Sequence, residues 1–309
     1  MTWSPYYHGD GTQRRVDLPT PPPWRTFPRQ SQHAQFQPPE GLVEAVNAAV
    51  QLRRPLLLRG PAGSGKSTVP DQVAHELDLG PVVRWHVTSR STLRDALYRY
   101  DALGRIHAHN LSAANTLPDN NYDDIGDYLQ LGPLGTALLP TKRPRALLID
   151  EIDKSDLDLP SDLLDVLERG EFEIPELARH PQPVVSVRTW HSFETATITR
   201  GQIACTEFPF IVMTSNDERG FPEAFLRRCI RFAMPPASPE MLHKILAAHL
   251  GPGVTGTRAT LVTEFVERVS RGERLAVDQL LNAVHLLTDE SVLAPDNLRQ
   301  LLLRELSND

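Results

Sequence analysis

The sequence predicts an α/β fold, in which a mostly parallel sheet carries helices on both faces and a small all-helical domain follows. Short apolar runs such as PLLLRG and RALLID alternate with stretches whose apolar residues recur at helical spacing. Strands that alternate with helices are typical of a parallel sheet. After about residue 236 the strand-like runs stop, and only helical patterns follow.

Composition indicates three regions along the chain. Residues 1–39 are polar and rich in proline, which favours an extended, polyproline-like arm over a packed element. Residues 40–235 carry the alternating patterns and are expected to form the α/β core, and residues 236–309 the helical domain. With 309 residues and a hydrophobic fraction of 40%, the chain is large enough for more than one domain.

The patterns from residue 41 onward predict the elements of the core one by one. Helices are expected at GLVEAVNAAVQL, STVPDQVAHEL, LRDALYRYDALGRIHA, SDLLDVLERG and PEAFLRRC. Strands are expected at PLLLRG, PVVRWHVTS, RALLID, FPFIVMTSN and IRFAM. Residues 110–127 are polar and turn-rich, and residues 171–208 have the Val, Thr and Ile content of one or two β-hairpins. Gly170 is expected to end the helix before the hairpins.

The segment GPAGSGKS lies between an expected strand and an expected helix and matches the phosphate-binding pattern G-x-x-x-x-G-K-[ST]. Its glycines let the backbone wrap closely, so that N–H groups point at phosphate oxygens. Lys66 is expected to reach the β and γ phosphates, and Ser67 to place its hydroxyl on Mg²⁺. The residues expected to bind the nucleotide are Gly60, Pro61, Ala62, Gly63, Ser64, Gly65, Lys66, Ser67 and Thr68.

A cluster of acids follows the expected strand RALLID, in the segment LLIDEIDKSDLDLP. Asp150 ends the strand and is expected to hold Mg²⁺, directly or through water. Glu151 is expected to polarise an attacking water as a general base, so the pair favours hydrolysis over phosphate transfer to a small molecule. Asp156 and Asp158 are interpreted as solvated or helix-capping acids. Asp153 stays open between a loop role and a contact across a subunit boundary.

Polar residues also follow two other core elements. Asn216 ends the strand FPFIVMTSN, where its amide is expected to orient the water or touch the γ phosphate; a plain turn residue is the alternative. Arg227 and Arg228 follow the short helix PEAFL. Arginines there either favour the dipole of that helix or act as an arginine finger that reaches the γ phosphate of the next subunit.

Charge and composition disfavour several classes of protein. The net charge of −7 makes nucleic acid an unexpected partner, because proteins that bind duplexes usually carry a basic excess. Cys205 and Cys229 lack ligand-type spacing, and His107 and His109 lack an accompanying acid, so neither a disulfide nor a zinc site is expected. No apolar run approaches the length of a membrane span and no signal peptide is recognisable, so we expect a cytoplasmic protein.

The order of these motifs resembles that of AAA+ ATPases, and the segments RPLLLRGPAGSGKST, LLIDEIDKSD and FPEAFLRRC resemble the MoxR-like branch, over roughly residues 40–290. The resemblance implies a P-loop NTPase core with a helical lid, and it implies ATP and Mg²⁺ as ligands. It assigns Lys66 and Ser67 to Walker A, Asp150 and Glu151 to Walker B, and Asn216 to sensor 1.

The resemblance extends to residues outside these motifs. It aligns Arg228 with the arginine finger and leaves Arg227 as the alternative. Residues 104–128 occupy the place of an insertion that usually faces the pore or the substrate, and residues 171–208 that of the hairpin before sensor 1. The lid departs from the family pattern, because an acid stands where many members carry the sensor 2 arginine. Asp278 stands at the sensor 2 position, and Arg274, one turn earlier, is the candidate substitute for the arginine.

The resemblance also implies a mode of action. Members of this branch assemble into rings, so this chain is expected to bind copies of itself, as a hexamer, and to use ATP hydrolysis to remodel a protein partner. Such ATPases are paired with a separate effector, and this chain carries no effector domain, so the partner is expected to be another polypeptide. The alternative is a slow switch, in which ATP binding assembles a bacterial signalling or defence complex.

Overall fold

The carboxyl end of one buried strand leads into the phosphate-binding loop, and the carboxyl end of another carries the acid pair. In a computed structural model, residues 7–17, 21–22, 25–26, 36–113, 124–192 and 194–235 are described, and beyond them only 238, 240–242, 244–245, 263, 265, 267, 281–282 and 284–285. The chain divides into two compact units. One consists of Met1–Pro39, Gly60–Thr68 and Met234–Asp309, and the other of Glu40–Arg59 and Val69–Ala233.

A five-stranded, all-parallel sheet forms the centre of the second unit. Its strands are β1 (Leu56–Arg59), β2 (Val83–His86), β5 (Ala146–Asp150), β10 (Phe210–Ser215) and β11 (Ile230–Ala233), in the spatial order β11-β1-β10-β5-β2. The inner strands β5 and β10 are near-continuous runs of buried residues, as expected for parallel strands covered on both faces. This arrangement confirms the α/β fold class predicted from the sequence.

A second sheet of six strands, in the order β3-β4-β7-β8-β9-β6, belongs to the same unit. Its strands are β3 (Tyr98–Tyr100), β4 (Leu129–Leu131), β6 (Glu171–Glu173), β7 (Val184–Arg188), β8 (Thr195–Thr199) and β9 (Gln202–Ala204). The β7–β8 hairpin has residues buried at alternate positions on β7, the pattern of a strand with one wet face. The hairpins predicted for residues 171–208 are therefore confirmed, with a short helix between the first two strands.

Eight α-helices are assigned within the described residues. They are α1 (Leu42–Leu52), α2 (Val69–Glu76), α3 (Leu93–Leu97), α4 (Ala102–Ala113), α5 (Pro133–Ala137), α6 (Leu159–Arg169), α7 (Pro175–Ala178) and α8 (Glu223–Leu226). Short 3-10 turns occupy Lys66–Thr68, Ile125–Tyr128 and Ile152–Lys154. Helix α6 buries Leu159, Leu163, Val166 and Leu167 in a core shared with both sheets. It ends where the sequence predicts, at Gly170, whose φ of 66° is left-handed.

The single helix predicted for LRDALYRYDALGRIHA is wrong, because a strand interrupts it. Tyr98 pairs with Leu131 across an antiparallel ladder, so β3 separates α3 from α4. The two tyrosines of YRY suit a strand better than a helix. Asp101 then accepts a hydrogen bond from the N–H of Gly104 at 2.8 Å, and this contact starts α4. The strand is stabilised by pairing with another strand some thirty residues away. The helical spacing of the apolar residues does not indicate that pairing.

Other local predictions also need correction. The turn-rich segment predicted for residues 110–127 is wrong for its first residues, because α4 continues to Ala113. Asp158 is exposed, as one of its two predicted roles requires, and it occupies the N-cap position of α6. Its side chain makes no capping hydrogen bond; its carbonyl oxygen accepts from the N–H of Ser161 and of Asp162.

The C-terminal helices predicted after residue 236 fall mostly outside the described residues, and so do Arg274 and Asp278. Among the residues described there, Leu242, Phe265 and Val284 are helical and buried. The division into an arm, a core and a lid stays a prediction. Across the described parts of the chain, no helix is both long and apolar enough to cross a bilayer.

Candidate functional site

The carboxyl ends of three neighbouring parallel strands carry the polar residues that the sequence singles out. In the sheet, β10 lies between β1 and β5, and Arg59 is in register with Ser215. The pairing of Met213 with Ile149 places Asp150 beside Thr214 at the next position. Open α/β sheets bind ligands outside the carboxyl ends of their strands, so this edge is where chemistry is expected.

Thr214 ties the two acids to strand β10. Its hydroxyl donates to Oδ1 of Asp150 at 2.6 Å and accepts from the N–H of Glu151 at 2.8 Å. Thr214 is buried, so these bonds are made away from bulk water. One hydroxyl therefore fixes both the carboxylate of Asp150 and the backbone from which Glu151 projects.

Glu151 adopts a backbone conformation that few side chains take. Its φ of 59° and ψ of 48° are left-handed, directly after the extended residues of β5. Outliers of this kind persist where surrounding contacts enforce them, and they concentrate at active sites. Here the turn swings the Glu151 side chain away from the direction that continued strand geometry would give it, so the adjacent acids can serve different tasks.

Three side chains surround the half-buried carboxylate of Glu151. The ammonium of Lys154 donates to Oε2 at 2.9 Å, and Nε2 of His86 lies 3.6 Å from the same oxygen. The amide of Asn216 lies 3.5 Å from Oε1, at the outer limit of a hydrogen bond. The hydrogen bond to Glu151 is the main cause that raises the pKa of Lys154, so this lysine stays charged. The structure thus brings together Glu151 and Asn216, as the sequence predicts.

Asp153 is a buried structural acid. It is 4% exposed, and its Oδ2 accepts from the N–H of Asn216 at 2.9 Å and of Glu218 at 3.2 Å. Its other oxygen makes no hydrogen bond within the described structure. These bonds hold the loop after β10, and with it Asn216, against the loop after β5. Of the two roles that the sequence leaves open for Asp153, a loop role and a contact across a subunit boundary, these bonds support the loop role.

A further ion pair joins the ends of β1 and β10. Nε of Arg59 lies 2.6 Å from Oδ1 of Asp217, and the N–H of Asp217 donates to the hydroxyl of Ser215 at 3.0 Å. The loop after β10 is therefore fixed from two sides, by Asp153 and by Arg59. Such support from neighbouring groups is what holds functional side chains within a narrow range of positions.

The phosphate-binding loop follows β1 in the chain and lies in the other unit, where its own geometry fits the predicted role. Gly60, Gly63 and Gly65 have φ values of 144°, 73° and 81°. These conformations are easily adopted only by glycine. A Cβ on Gly60 would come within 2.9 Å of the Met234 carbonyl oxygen, so the loop also needs glycine for space.

Lys66 is the buried cation of this loop. Its side chain is 6% exposed, and Nζ donates to the carbonyl oxygens of Gly60 and Pro61, each at 2.7 Å. Ser67 and Thr68 continue from it as a 3-10 turn that leads into α2. The expected helix start near Lys66 is therefore a tighter turn, with α-helix only from Val69. A buried ammonium beside glycines of positive φ suits a polyphosphate.

The donor set also fits Mg²⁺. This ion prefers oxygen ligands and keeps several waters, so it needs few protein groups. The sequence predicts Ser67 and Asp150 as its ligands, and each of these side chains carries oxygen. Thr214 orients the carboxylate of Asp150. Within the described residues, no group of His, Cys, Asp and Glu has the composition of an all-protein metal site.

The two arginines after α8 have different surroundings. The guanidinium of Arg228 forms an ion pair with Glu168 of α6 and donates to the carbonyl oxygen of Ala224 at 3.1 Å. The pair with Glu168 raises the pKa of Arg228 and lowers that of Glu168. Arg227 is exposed, and its carbonyl oxygen accepts a hydrogen bond from Arg54. The arginine favoured from the sequence is thus the one held by its own chain.

Several residues around Glu151 were missed by reasoning from the sequence. They are His86, Lys154 and Thr214, and Arg59, which holds Asp217 in the loop after β10, was missed as well. Only Thr214 leaves a signal in the sequence, as the first polar residue in the apolar run FPFIVMTSN. The roles of the other residues depend on which strands are neighbours in the sheet, and a single sequence does not give the strand order.

Comparison with known proteins identifies a family. The profile of the AAA domain, dynein-related subfamily, matches residues 55–228, more than half of the chain. No curated protein gives a significant match to the sequence.

Solved structures with a similar chain path are distant. NtrX from Brucella abortus, in complex with ATP, is 15% identical with a TM-score of 0.42, over 79% of this chain and 49% of that one. This chain thus spans about half the length of NtrX. Domain III of the replication initiation protein DnaA from Thermotoga maritima is 14% identical with a TM-score of 0.43, over 90% of this chain and 97% of that one. A putative ATPase from Cytophaga hutchinsonii is 14% identical with a TM-score of 0.39, over 66% and 48%.

Proposed function

Because the chain belongs to the AAA domain family, dynein-related subfamily, and is an ATPase, we propose that its sheet edge and its phosphate loop divide the work of ATP hydrolysis between them. The observation that carries this proposal is the family match over residues 55–228, which includes the loop, the acid pair, Asn216 and both arginines in one stretch.

In this proposal the phosphate loop binds the nucleotide. The backbone N–H groups of Gly60–Thr68 surround the phosphates, and Lys66 exchanges its bonds to loop carbonyls for bonds to phosphate oxygens. Ser67 and Asp150 hold Mg²⁺, which neutralises charge on the phosphates when it is bound. Thr214 keeps Asp150 in the orientation that this task needs.

Glu151 is the proposed general base. Its carboxylate accepts a proton from the attacking water while the water oxygen forms a bond to the γ phosphorus and ADP leaves. Asn216 orients that water, and its contact with Glu151 at 3.5 Å keeps the two groups side by side. Lys154 and His86 limit the directions in which the carboxylate can turn.

We further propose that the chain is of the MoxR-like type, and that copies assemble into a ring, as a hexamer, in the cytoplasm. The segments RPLLLRGPAGSGKST and LLIDEIDKSD support the branch assignment. In the ring, Arg228, with Arg227 as the alternative, reaches the γ phosphate bound to the neighbouring copy. Hydrolysis then drives remodelling of a separate protein partner rather than of nucleic acid.

Phosphate release from ATP tests this proposal. Purified protein is expected to release phosphate in the presence of Mg²⁺ and to stop when EDTA removes the ion. Lys66→Ala is expected to weaken ATP binding by at least about tenfold, since a charge-assisted contact is lost. Lys142→Ala, an exposed lysine outside the loop, is the matched control. Normal ATP binding by Lys66→Ala would refute the loop assignment.

A further inference from the structure

A cavity of about 660 Å³ lies beside the end of β2, and of the residues that line it only His86 has a role in the proposed hydrolysis. Its walls come from the end of β2 and the loop after it, from α3 and β3, and from the turn between β7 and β8. Three arginines and two histidines line it, against a single acid, Asp95. In a chain whose net charge is −7, such a local excess of cations is notable and calls for an anionic ligand.

Not every arginine of this cavity forms an ion pair with an acidic residue among the described residues. Arg84 forms an ion pair with Asp71, outside the cavity, and Arg99 lies 3.8 Å from Asp95. Arg90 is exposed, and among the described residues it has no ion pair. Arginine presents planar pairs of donors that match a carboxylate, so Arg90 and Arg99 can each hold one acidic side chain.

Trp190 fixes this wall of the cavity. Its indole N–H donates to the Arg84 carbonyl oxygen at 3.1 Å, which anchors the β7–β8 turn to β2. The guanidinium of Arg99 lies 5.4 Å from the centre of its ring, and the ring of His191 meets it edge-on at 4.2 Å. Because Arg99 lies over one face of the ring, that face orients a cation and is not open for a nucleobase to stack on.

The cavity is one side chain away from the proposed general base. His86 lines the cavity, and its Nε2 lies 3.6 Å from Oε2 of Glu151. A carboxylate in the cavity would compete with Glu151 for this imidazole. A ligand bound there is therefore placed to affect the residue that activates water.

We propose that this cavity binds an acidic segment of the protein partner, with Arg90 and Arg99 as the residues that recognise its carboxylates. The proposal rests on the proposed function for the existence of a protein partner, and it names the chemical class that is recognised. Charge complementarity favours a polyanion, and the covered face of Trp190 favours carboxylates over the bases of a single-stranded nucleic acid.

Fluorescence anisotropy of labelled hexaglutamate tests the proposal, with hexaglutamine as the neutral peptide and a single-stranded oligonucleotide as competitor. Ionic strength is held fixed, because exposed charges are screened by salt. The full chain is expected to bind hexaglutamate at least about tenfold more tightly than hexaglutamine. Arg90→Gln and the double variant with Arg99→Gln are expected to lose this preference, stepwise. Arg169→Gln, an exposed arginine of α6 paired with Asp165, removes the same charge elsewhere and is expected to change nothing.

The outcomes separate this proposal from the function on which it rests. The proposal would be overturned if Arg90→Gln bound hexaglutamate as tightly as the wild type, or if Arg169→Gln lost as much affinity as Arg90→Gln. It would also be overturned if the oligonucleotide bound more tightly than the peptide and displaced it. ATP turnover without peptide is measured on every variant. If the wild type hydrolyses ATP and hexaglutamate does not bind, only the acidic-segment proposal fails; if no ATP is hydrolysed, the proposed function fails whatever the peptide does.

Discussion

Residues at the end of β5 show how strain and hydrogen bonding combine at one site. Glu151 has left-handed backbone angles that cost about 1–3 kcal/mol in most contexts. The hydroxyl of Thr214 and the 3-10 turn that follows hold it there. The chain accepts this cost and so directs two adjacent acids to different positions, one toward the proposed metal and one toward the proposed water.

Thr214→Val tests the role of this hydroxyl. Valine keeps the shape but leaves the N–H of Glu151 and the carboxylate of Asp150 without their partner. We expect a loss of about 1–3 kcal/mol in the free energy of unfolding, measured by urea denaturation. ATP turnover should fall roughly tenfold, as when an orienting partner of a metal ligand is removed. Thr197→Val, on the exposed face of β8, is the control, and equal effects of the two changes would argue against a specific role.

Much of this site could be predicted from the sequence, and the reason is local. The motif GPAGSGKS and the pair Asp150 and Glu151 are each read within a few consecutive residues. His86 and Lys154 could not be assigned in this way, because their contacts with Glu151 depend on which strand lies beside β5 and on the turn after it. Asp153 gave no sign of being buried, since its neighbours in sequence include exposed acids.

At the scale of elements, local sequence signals predict a helix or strand correctly where they set the backbone conformation. They fail where pairing with a distant strand determines the secondary structure. Helix α6 was predicted with its end, because Gly170 supplies the left-handed residue that the end requires. Strand β3 was missed, because its pairing partner β4 lies far along the chain. The second sheet as a whole follows from such pairings, and only its hairpins have a clear sequence pattern.

Gly170→Ala tests the account of this helix end. A Cβ at this position would lie 2.7 Å from the sulfur of Cys205, and the φ of 66° is unfavourable for alanine. We expect a loss of about 1–2 kcal/mol in the free energy of unfolding, seen as a lower midpoint in urea. At Gly220 an added Cβ meets open space, so Gly220→Ala is the control. A midpoint unchanged in Gly170→Ala would refute the explanation.

At the scale of the whole molecule, the central question is what neighbouring copies contribute. Arg228 is bound to Glu168 in its own chain, so it must leave that ion pair to reach a neighbour, whereas Arg227 is already exposed. Exposed ion pairs contribute little to stability, so this exchange is cheap. In the proposed ring, contacts between copies would therefore decide which arginine is used.

Mixing of inactive variants tests the finger. Arg228→Ala alone is expected to lose nearly all turnover, and addition of Lys66→Ala should restore part of it, because a mixed ring joins an intact site to an intact finger. Arg227→Ala, measured in the same way, is the comparison. Normal turnover by Arg228→Ala with loss in Arg227→Ala would move the role to Arg227. If mixing restores no activity at any ratio, the finger does not act between subunits.

The most direct test of the account is single-turnover hydrolysis of ATP by Glu151→Gln, with ATP binding measured on the same sample. Glutamine keeps the size of the side chain and removes the ability to accept a proton. We predict that binding stays within about twofold of the wild type, and that the hydrolysis rate falls by about 10²–10⁴-fold, the usual contribution of a general base. Hydrolysis at the wild-type rate by a variant that binds ATP normally would contradict the assignment of Glu151, and with it the division of labour at the end of β5.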